Sequence, residues 1–409
     1  MILMRIAVIL FIAAFARLMQ AREALPNYFG VDPASLARVK ARLQAGDKSF
    51  QPALRKLEAD AKDALRTKPP SVMQKTKAPP SGDKHDYLSV APYYWPDPRK
   101  TNGLPYLRHD GKVNPESREE SSDHGRVRVM AETVETLALT YYFTGQEACA
   151  AGAARCLRVW FLDPATRMSP NLNYAQGIPG VNTGRGTGII EGRNLAAAAD
   201  AAGLLAGSAA WTRKDHEALH AWLGTYLDWL LTSKNGRDEA NARNNHGTLY
   251  DVQAIRLALV LGRTEVACRI AEAAAKKRIS VQIEPDGKQP LELERTASFS
   301  YSRFNLEALF ALATLSEPVG VDLWHCPFSD GRYALRAALD FLLPYVADRS
   351  KKWPYEQIKQ FDGTDFAPLL RQAAVVFQEP RYEETLARFP DVAQDRLQLL
   401  YPDLKPSRD

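Results

Sequence analysis

Asn241-Ala-Arg-Asn-Asn-His-Gly-Thr-Leu-Tyr250 packs one arginine, three asparagines, a histidine and a tyrosine into ten residues. An amphipathic pattern runs up to it from Lys214 to Leu231, with Leu219, Trp222, Leu223, Tyr226 and Trp229 on one face. An apolar pattern leaves it, from Leu249 to Leu261. Both patterns have helical spacing, so the stretch is read as a loop-to-helix junction whose polar groups share one space. Arginine and asparagine bind and neutralise a carboxylate, and histidine moves a proton near neutral pH. The plainer reading is an asparagine-capped helix start with a solvated lead-in.

Working outward, helical patterns dominate. Two precede Arg66, and a helical hairpin is expected over Asp123–Trp160. An alanine-rich helix opens at Glu191-Gly-Arg-Asn194. Further helices are predicted near 265–277, 305–315, 333–346, 365–377 and 381–389. Between Ser280 and Glu294, Val281, Ile283, Leu291 and Leu293 alternate with polar residues around Asp286-Gly287. That alternation predicts a small β-hairpin. Lys68–Lys84, rich in proline and lysine, is expected as an extended surface connection. The fold class expected is all-α: an incomplete α/α toroid of about six to seven helical hairpins with a small β-hairpin, in a single domain over 22–409.

The N-terminus, MILMRIAVILFIAAFARLMQAREALP, has Arg5 before a short apolar run, Ile6–Ala16, and small residues near Ala21. Residues 1–21 are read as a secretory signal peptide, with a retained anchor as the alternative, so the protein is expected to be periplasmic or secreted. Apart from this run, which is short for a span, no segment is long and apolar enough to cross a membrane. The net charge of +5 is spread along the chain without a basic block, which argues against nucleic-acid binding. Cys149, Cys156, Cys268 and Cys326 have no metal-ligand spacing. Buried free thiols are expected, with a bridge to Cys268 or Cys326 as the alternative.

Two long irregular segments interrupt the helices. Tyr87–Pro98 continues through Asn114-Pro-Glu116 and is rich in aromatics and proline, which suits an ordered loop. Tyr93, Tyr94 and Trp95 suit stacking on sugar rings, or plugging the loop down. The second, Asn171–Gly188, has many glycines but neither the lysine nor the strand–helix context of a phosphate-binding loop. His216 and His220 are four apart on a helix and lack further metal ligands, and no motif demands a metal or cofactor. No carboxylate pair stands out as glycoside hydrolysis would require. An Asn/Arg/His/Tyr set fits β-elimination from a uronate polymer. There a proton next to a carboxylate is removed, and the carboxylate charge must be neutralised.

Leu88-Ser-Val-Ala-Pro-Tyr-Tyr-Trp95-Pro-Asp-Pro98, Gly103-Leu-Pro-Tyr106 with Asn114-Pro-Glu116, Asn244-Asn-His246-Gly, and Arg295 with Phe299-Ser-Tyr301 carry a resemblance to the alginate lyase family of polysaccharide lyases. It spans roughly residues 85 to 350. It implies an α/α toroid and a lyase acting on an anionic polysaccharide, alginate or a related polyuronate such as mannuronan or glucuronan. Asn245 resembles the family's carboxylate-neutralising asparagine. His246 resembles the histidine that neutralises the carboxylate or acts as base. Tyr301 resembles the tyrosine that serves as acid, and also as base in syn elimination. Arg295 resembles the arginine that lowers the tyrosine pKa and helps fix the carboxylate. Arg193, Arg243 and Asn244 are expected as further substrate-carboxylate ligands. The competing functions are a non-catalytic polyuronate-binding protein and a glycoside hydrolase on the same scaffold.

Overall fold

The structure is a computed structural model and describes residues 25–348, 350–389 and 395–402. The expected signal peptide, 1–21, lies outside the described residues. Helices α1 (Pro33–Gln44) and α2 (Gln51–Arg66) come first, then the hairpin α3 (His124–Thr144) and α4 (Glu147–Leu157). There follow α5 (Arg193–Ala201), α6 (Arg213–Thr232), α7 (Lys234–Ala240), α8 (Asn245–Val260) and α9 (Thr264–Ala274). The last long helices are α10 (Ser298–Ser316), α11 (Ala334–Ala347), α12 (Ala367–Phe377) and α13 (Pro380–Leu386).

Packing sorts these helices into two layers. Helix α3 packs on α5, α5 on α8, and α8 on α10, which forms the inner wall of an incomplete α/α toroid. Helices α4, α6 and α9 back this wall from outside. The inner helices are buried along most of their length, and where they carry buried polar side chains these are Asp251 and Gln253 of α8, Asp200 of α5 and Asn305 of α10 among others. In α8 every residue from Gly247 to Ile255 is buried. Cys149 and Cys156 lie buried in α4, and all four cysteines are free thiols.

The strands are short and belong to the site. Strand β1 (Leu88–Val90) pairs in parallel with β4 (Tyr174–Gly177), with an irregular register between Leu88↔Tyr174 and Val90↔Gly177. Strand β2 (Tyr94–Trp95) pairs antiparallel with β3 (Leu107–Arg108). The aromatic-proline loop is ordered: His109 N donates to Tyr93 O at 2.7 Å and Asn114 Nδ2 to Tyr94 O at 2.9 Å.

Two expectations are corrected. Residues 280–294 form no β-hairpin. Ser280–Gln282 and Pro290–Leu293 are helical turns joined by a tight loop in which Glu284 N donates to Lys288 O. The alternation misled because the polar residues point inward here. Gln282, Gln289 and Glu292 are buried, whereas Val281 and Leu291 are exposed. Burial is offset by hydrogen bonds: Asn305 Nδ2 donates to both glutamine side chains at 2.8 Å, and Gln282 Nε2 donates to Asn244 O at 3.3 Å. Likewise Lys68–Lys84 is not wholly a surface connection. Lys75 is fully buried, 2.9 Å from the carboxylate of Asp123, the residue before α3.

Candidate active site

The four inner helices all point their N-termini at one cavity. His124 opens α3, Arg193 opens α5, Asn245 and His246 open α8, and Tyr301 lies in the first turn of α10. Each N-terminus carries the positive end of a helix dipole. The cavity encloses about 410 Å³ and is closed on another side by Tyr93, Tyr94 and Arg108 of the loop. Arg118, Arg185, Arg193 and Arg295 also line it, while Glu191 is the one carboxylate among the described lining residues. The site therefore favours an anion.

Of the ten residues singled out from the sequence, Tyr93, Tyr94, Arg193, Asn244, Asn245, His246, Arg295 and Tyr301 meet in this cavity. Trp95 and Arg243 are not among its lining residues. Trp95 Nε1 donates to Lys112 O at 3.0 Å and so pins the loop. Arg243 is exposed on the turn before α8. At these two positions the local charge and aromaticity were read correctly, but side-chain direction is not a property of spacing.

His246 Nδ1 lies 2.7 Å from Oε1 of Glu239, a residue with almost no exposed surface. A carboxylate only accepts, so Nδ1 carries the proton and Nε2 is left as the basic nitrogen. Asn245 is buried, and its backbone N and Nδ2 both donate to Glu292, at 2.8 to 3.0 Å. Burial raises the pKa of Glu292, partly countered by these bonds and by the charge of Arg295. Asn245 is thus held in place from behind. Asn244 caps α8, its Oδ1 accepting from His246 N at 3.3 Å.

Behind the junction, Arg278 sits on a π-helical turn, Ala275–Ile279. Its buried guanidinium grips Asp251 at 2.6 and 3.0 Å and takes the carbonyls of Ala242 and Ala240 at 2.7 and 2.8 Å. The Asn-Asn-His-Gly motif needs its glycine for this reason. A Cβ at Gly247 would stand 2.0 Å from Ala242 O and 2.3 Å from Arg278 Nη1.

Tyr301 Oη donates to Tyr93 Oη at 2.6 Å. Burial, then the neighbouring phenol of Tyr93, push the Tyr301 pKa well above its ordinary value, and Arg295 opposes them only in part. Arg295 does lower the Tyr301 pKa, as the resemblance implies, but burial and Tyr93 raise it by more, so the phenol stays above its ordinary value. Arg295 itself is fixed by Asp110 of the loop, at 3.0 and 2.7 Å. Burial works against the Asp110 charge, but the hydrogen bonds and charge of Arg295 outweigh it and bring its pKa down to about 2.

Glu191 anchors the opposite wall. It accepts from Tyr87 Oη at 2.8 Å, Ser89 Oγ at 2.7 Å, Gln176 Nε2 at 3.1 Å and His124 Nδ1 at 3.0 Å. Burial alone would favour its neutral form; His124, Ser89 and Tyr87 reverse this, and its pKa is lowered. Gln176 sits at a left-handed φ of 48°, a strained backbone held where β1 and β4 lose register. Its carbonyl and Oε1 each accept from Arg185 at 3.1 Å. The segment Gln176–Arg193 stands out in the sequence for its glycines and its arginines. Glu191, Glu239, Glu292 and Asp110 do not, since nothing local marks a carboxylate that will be buried under a functional side chain. Among the described residues no group of three or more histidine, cysteine or acidic side chains could hold a metal ion.

Comparison with known proteins follows the geometry. A family model described as alginate lyase matches residues 71–353. No curated protein gives a match. The chain is similar to the crystal structure of an alginate lyase from Bacteroides ovatus, at 40% identity and a TM-score of 0.87, over 93% of this chain and 100% of that one. Alginate lyase A1-III from Sphingomonas species A1 aligns with a TM-score of 0.60 at 17% identity, over 94% and 98% of the two chains, a likeness of fold. A substituted form of A1-III complexed with a tetrasaccharide aligns with a TM-score of 0.59 at 18% identity, over the same shares. With more than half its length matched by the family model and a relative at this identity, the chain belongs to the alginate lyase family of polysaccharide lyases.

Proposed function

We propose that this protein cleaves alginate or a related polyuronate by β-elimination at the cavity between His246 and Tyr301. The observation that carries the reading is the pairing of a proton acceptor and a proton donor across an arginine-lined cavity. His246 has its Nδ1 proton held by Glu239, and Tyr301 is kept protonated by burial beside Tyr93. His246 Nε2 takes the C5 proton, the electron pair forms the C4=C5 double bond, and the C4–O bond breaks. Tyr301 gives its proton to the departing glycosidic oxygen, and the proton gained by His246 is exchanged back to Tyr301 through solvent before the next turnover. No water is consumed. The charge that builds on the uronate carboxylate is met by Asn244, Asn245 and the dipole ends of the inner helices.

Glycoside hydrolysis is the weaker reading, because it needs two carboxyl groups at the bond and Glu191 is committed to four donors. A polymeric substrate fits the export we infer from residues 1–21, to the periplasm or outside the cell. Purified protein mixed with alginate, polymannuronate, polyguluronate and glucuronan should raise ultraviolet absorbance from unsaturated chain ends. New reducing ends without unsaturation would mean hydrolysis, and saturable binding without new ends would mean a binding protein; either defeats the proposal.

A further inference from the structure

The cavity holds a second carboxylate–histidine pair that the elimination does not use. His124 mirrors His246: its Nδ1 is tied to a buried carboxylate, Glu191, at 3.0 Å, and its side chain keeps 22% of its surface exposed. Glu191 only accepts, so the proton lies on Nδ1 and Nε2 of the neutral ring is an acceptor at the cavity. The charged neighbours of Arg295 and Arg193 differ. Burial works against the charge of Arg295, and Asp110, Tyr301 and Glu292 support it. Arg193 is influenced instead by Glu191, Glu307, Tyr87 and Arg118. Arg193 and His124 thus share Glu191 as a neighbour.

Arg193 is also unusual for a partly buried guanidinium. Among the described residues its contacts are the Ile190 carbonyl at 3.4 Å and the face of Phe304, 5.3 Å from the ring centre. A buried cation without a carboxylate partner is unfavourable unless a ligand supplies the anion. Resting on the lyase reading, we infer that His124 and Arg193 form a second uronate subsite beside the reacting sugar: Arg193 takes the carboxylate and His124 Nε2 accepts a ring hydroxyl. A carboxylate and a hydroxyl at fixed separation distinguish a uronate from a neutral sugar, which has nothing for Arg193. The two histidines then have separate tasks, His246 in the chemistry and His124 in holding the neighbouring residue of the polymer.

Two variants test the assignment. His124→Asn keeps a donor where Nδ1 stood, so Glu191 stays satisfied, and removes the Nε2 tip. Arg193→Gln removes the charge. Each should raise KM for alginate by about tenfold or more, as loss of a hydrogen bond or ion contact to substrate does, with kcat within about threefold of the parent. The thermal midpoint of His124→Asn should not move. In a Tyr301→Phe background, calorimetric titration with saturated polyuronate oligosaccharides should show the same weakening. Unchanged KM in both variants, or a fall in kcat alone, overturns the subsite. The titration reads binding without turnover, so it also separates the two proposals. If the parent protein makes no unsaturated ends yet either variant weakens binding, the lyase reading fails and the subsite stands; if turnover is seen and neither variant alters KM or binding, the reverse holds. Should one variant fail to fold, the other decides.

Discussion

The guanidinium of Arg295 lies 3.6 Å from the centre of the Tyr301 ring, on its face rather than at its hydroxyl. Two of its nitrogens are already given to Asp110. In this position the cation lowers the phenol's pKa less than burial and Tyr93 raise it. Burial and Tyr93, rather than Arg295, thus decide that Tyr301 keeps its proton. Tyr301→Phe preserves the stacked ring and removes that proton. It should lower kcat by about 10²- to 10⁴-fold, the usual worth of a positioned acid or base, while oligosaccharide affinity stays near the parent value. Phe-variant turnover within a few fold of the parent would show that another group protonates the leaving oxygen.

Asp110 joins the aromatic-proline loop to the floor of the site, since it also accepts from Thr296 N and Oγ1 at 3.3 and 3.2 Å. Gly111 allows this approach: a Cβ there would stand 2.5 Å from Thr296 Oγ1. Asp110→Asn should lower kcat/KM by roughly tenfold, because a neutral amide replaces charge-assisted bonds. The sign of the pH effect follows from the shift. The folded pKa, about 2, lies below the ordinary 3.8, so this contribution is fully present above about 3.8 and is lost as pH falls toward 2. Loop proteolysis should be faster in Asp110→Asn than in the parent above pH about 3.8, and the difference should close as pH falls toward 2.

His246 depends on Glu239 for its tautomer. His246→Ala should abolish measurable turnover. Glu239→Gln should leave the imidazole in place but weaken the selection of Nδ1–H, lowering kcat by about 10²-fold or more with little change in KM. If Glu239→Gln raises KM and spares kcat, His246 holds charge and the proton goes elsewhere.

Much of this was readable beforehand, and the exceptions share one cause. The helices followed from apolar spacing, and the junction at Asn244–His246 followed from a cluster of polar groups where a helix begins. What failed was the step from residue type to direction. Glu239, Glu292 and Arg278 lie on helical turns whose polar side chains would ordinarily face water, yet each is buried against a polar partner: His246, Asn245 and Asp251 respectively. Residues 280–294 were inverted for the same reason. Trp95 shows the converse: an aromatic in a promising motif whose indole N–H is used to fasten its own loop.

The last prediction concerns Gly247, which the motif carries for a packing reason. Neither close contact has room to yield. Ala242 O is main chain, and the Arg278 guanidinium is fixed by Asp251 and two carbonyls. Gly247→Ala should therefore destabilise the protein by about 1–3 kcal/mol, the usual range for overpacking. The strain falls on the turn that positions Asn244, Asn245 and His246, so activity should drop further than the folded fraction does. Thermal unfolding and initial rates on the same samples measure both losses. An alanine variant with the parent's midpoint and rate would show that Arg278 moves aside freely and does not anchor the catalytic turn.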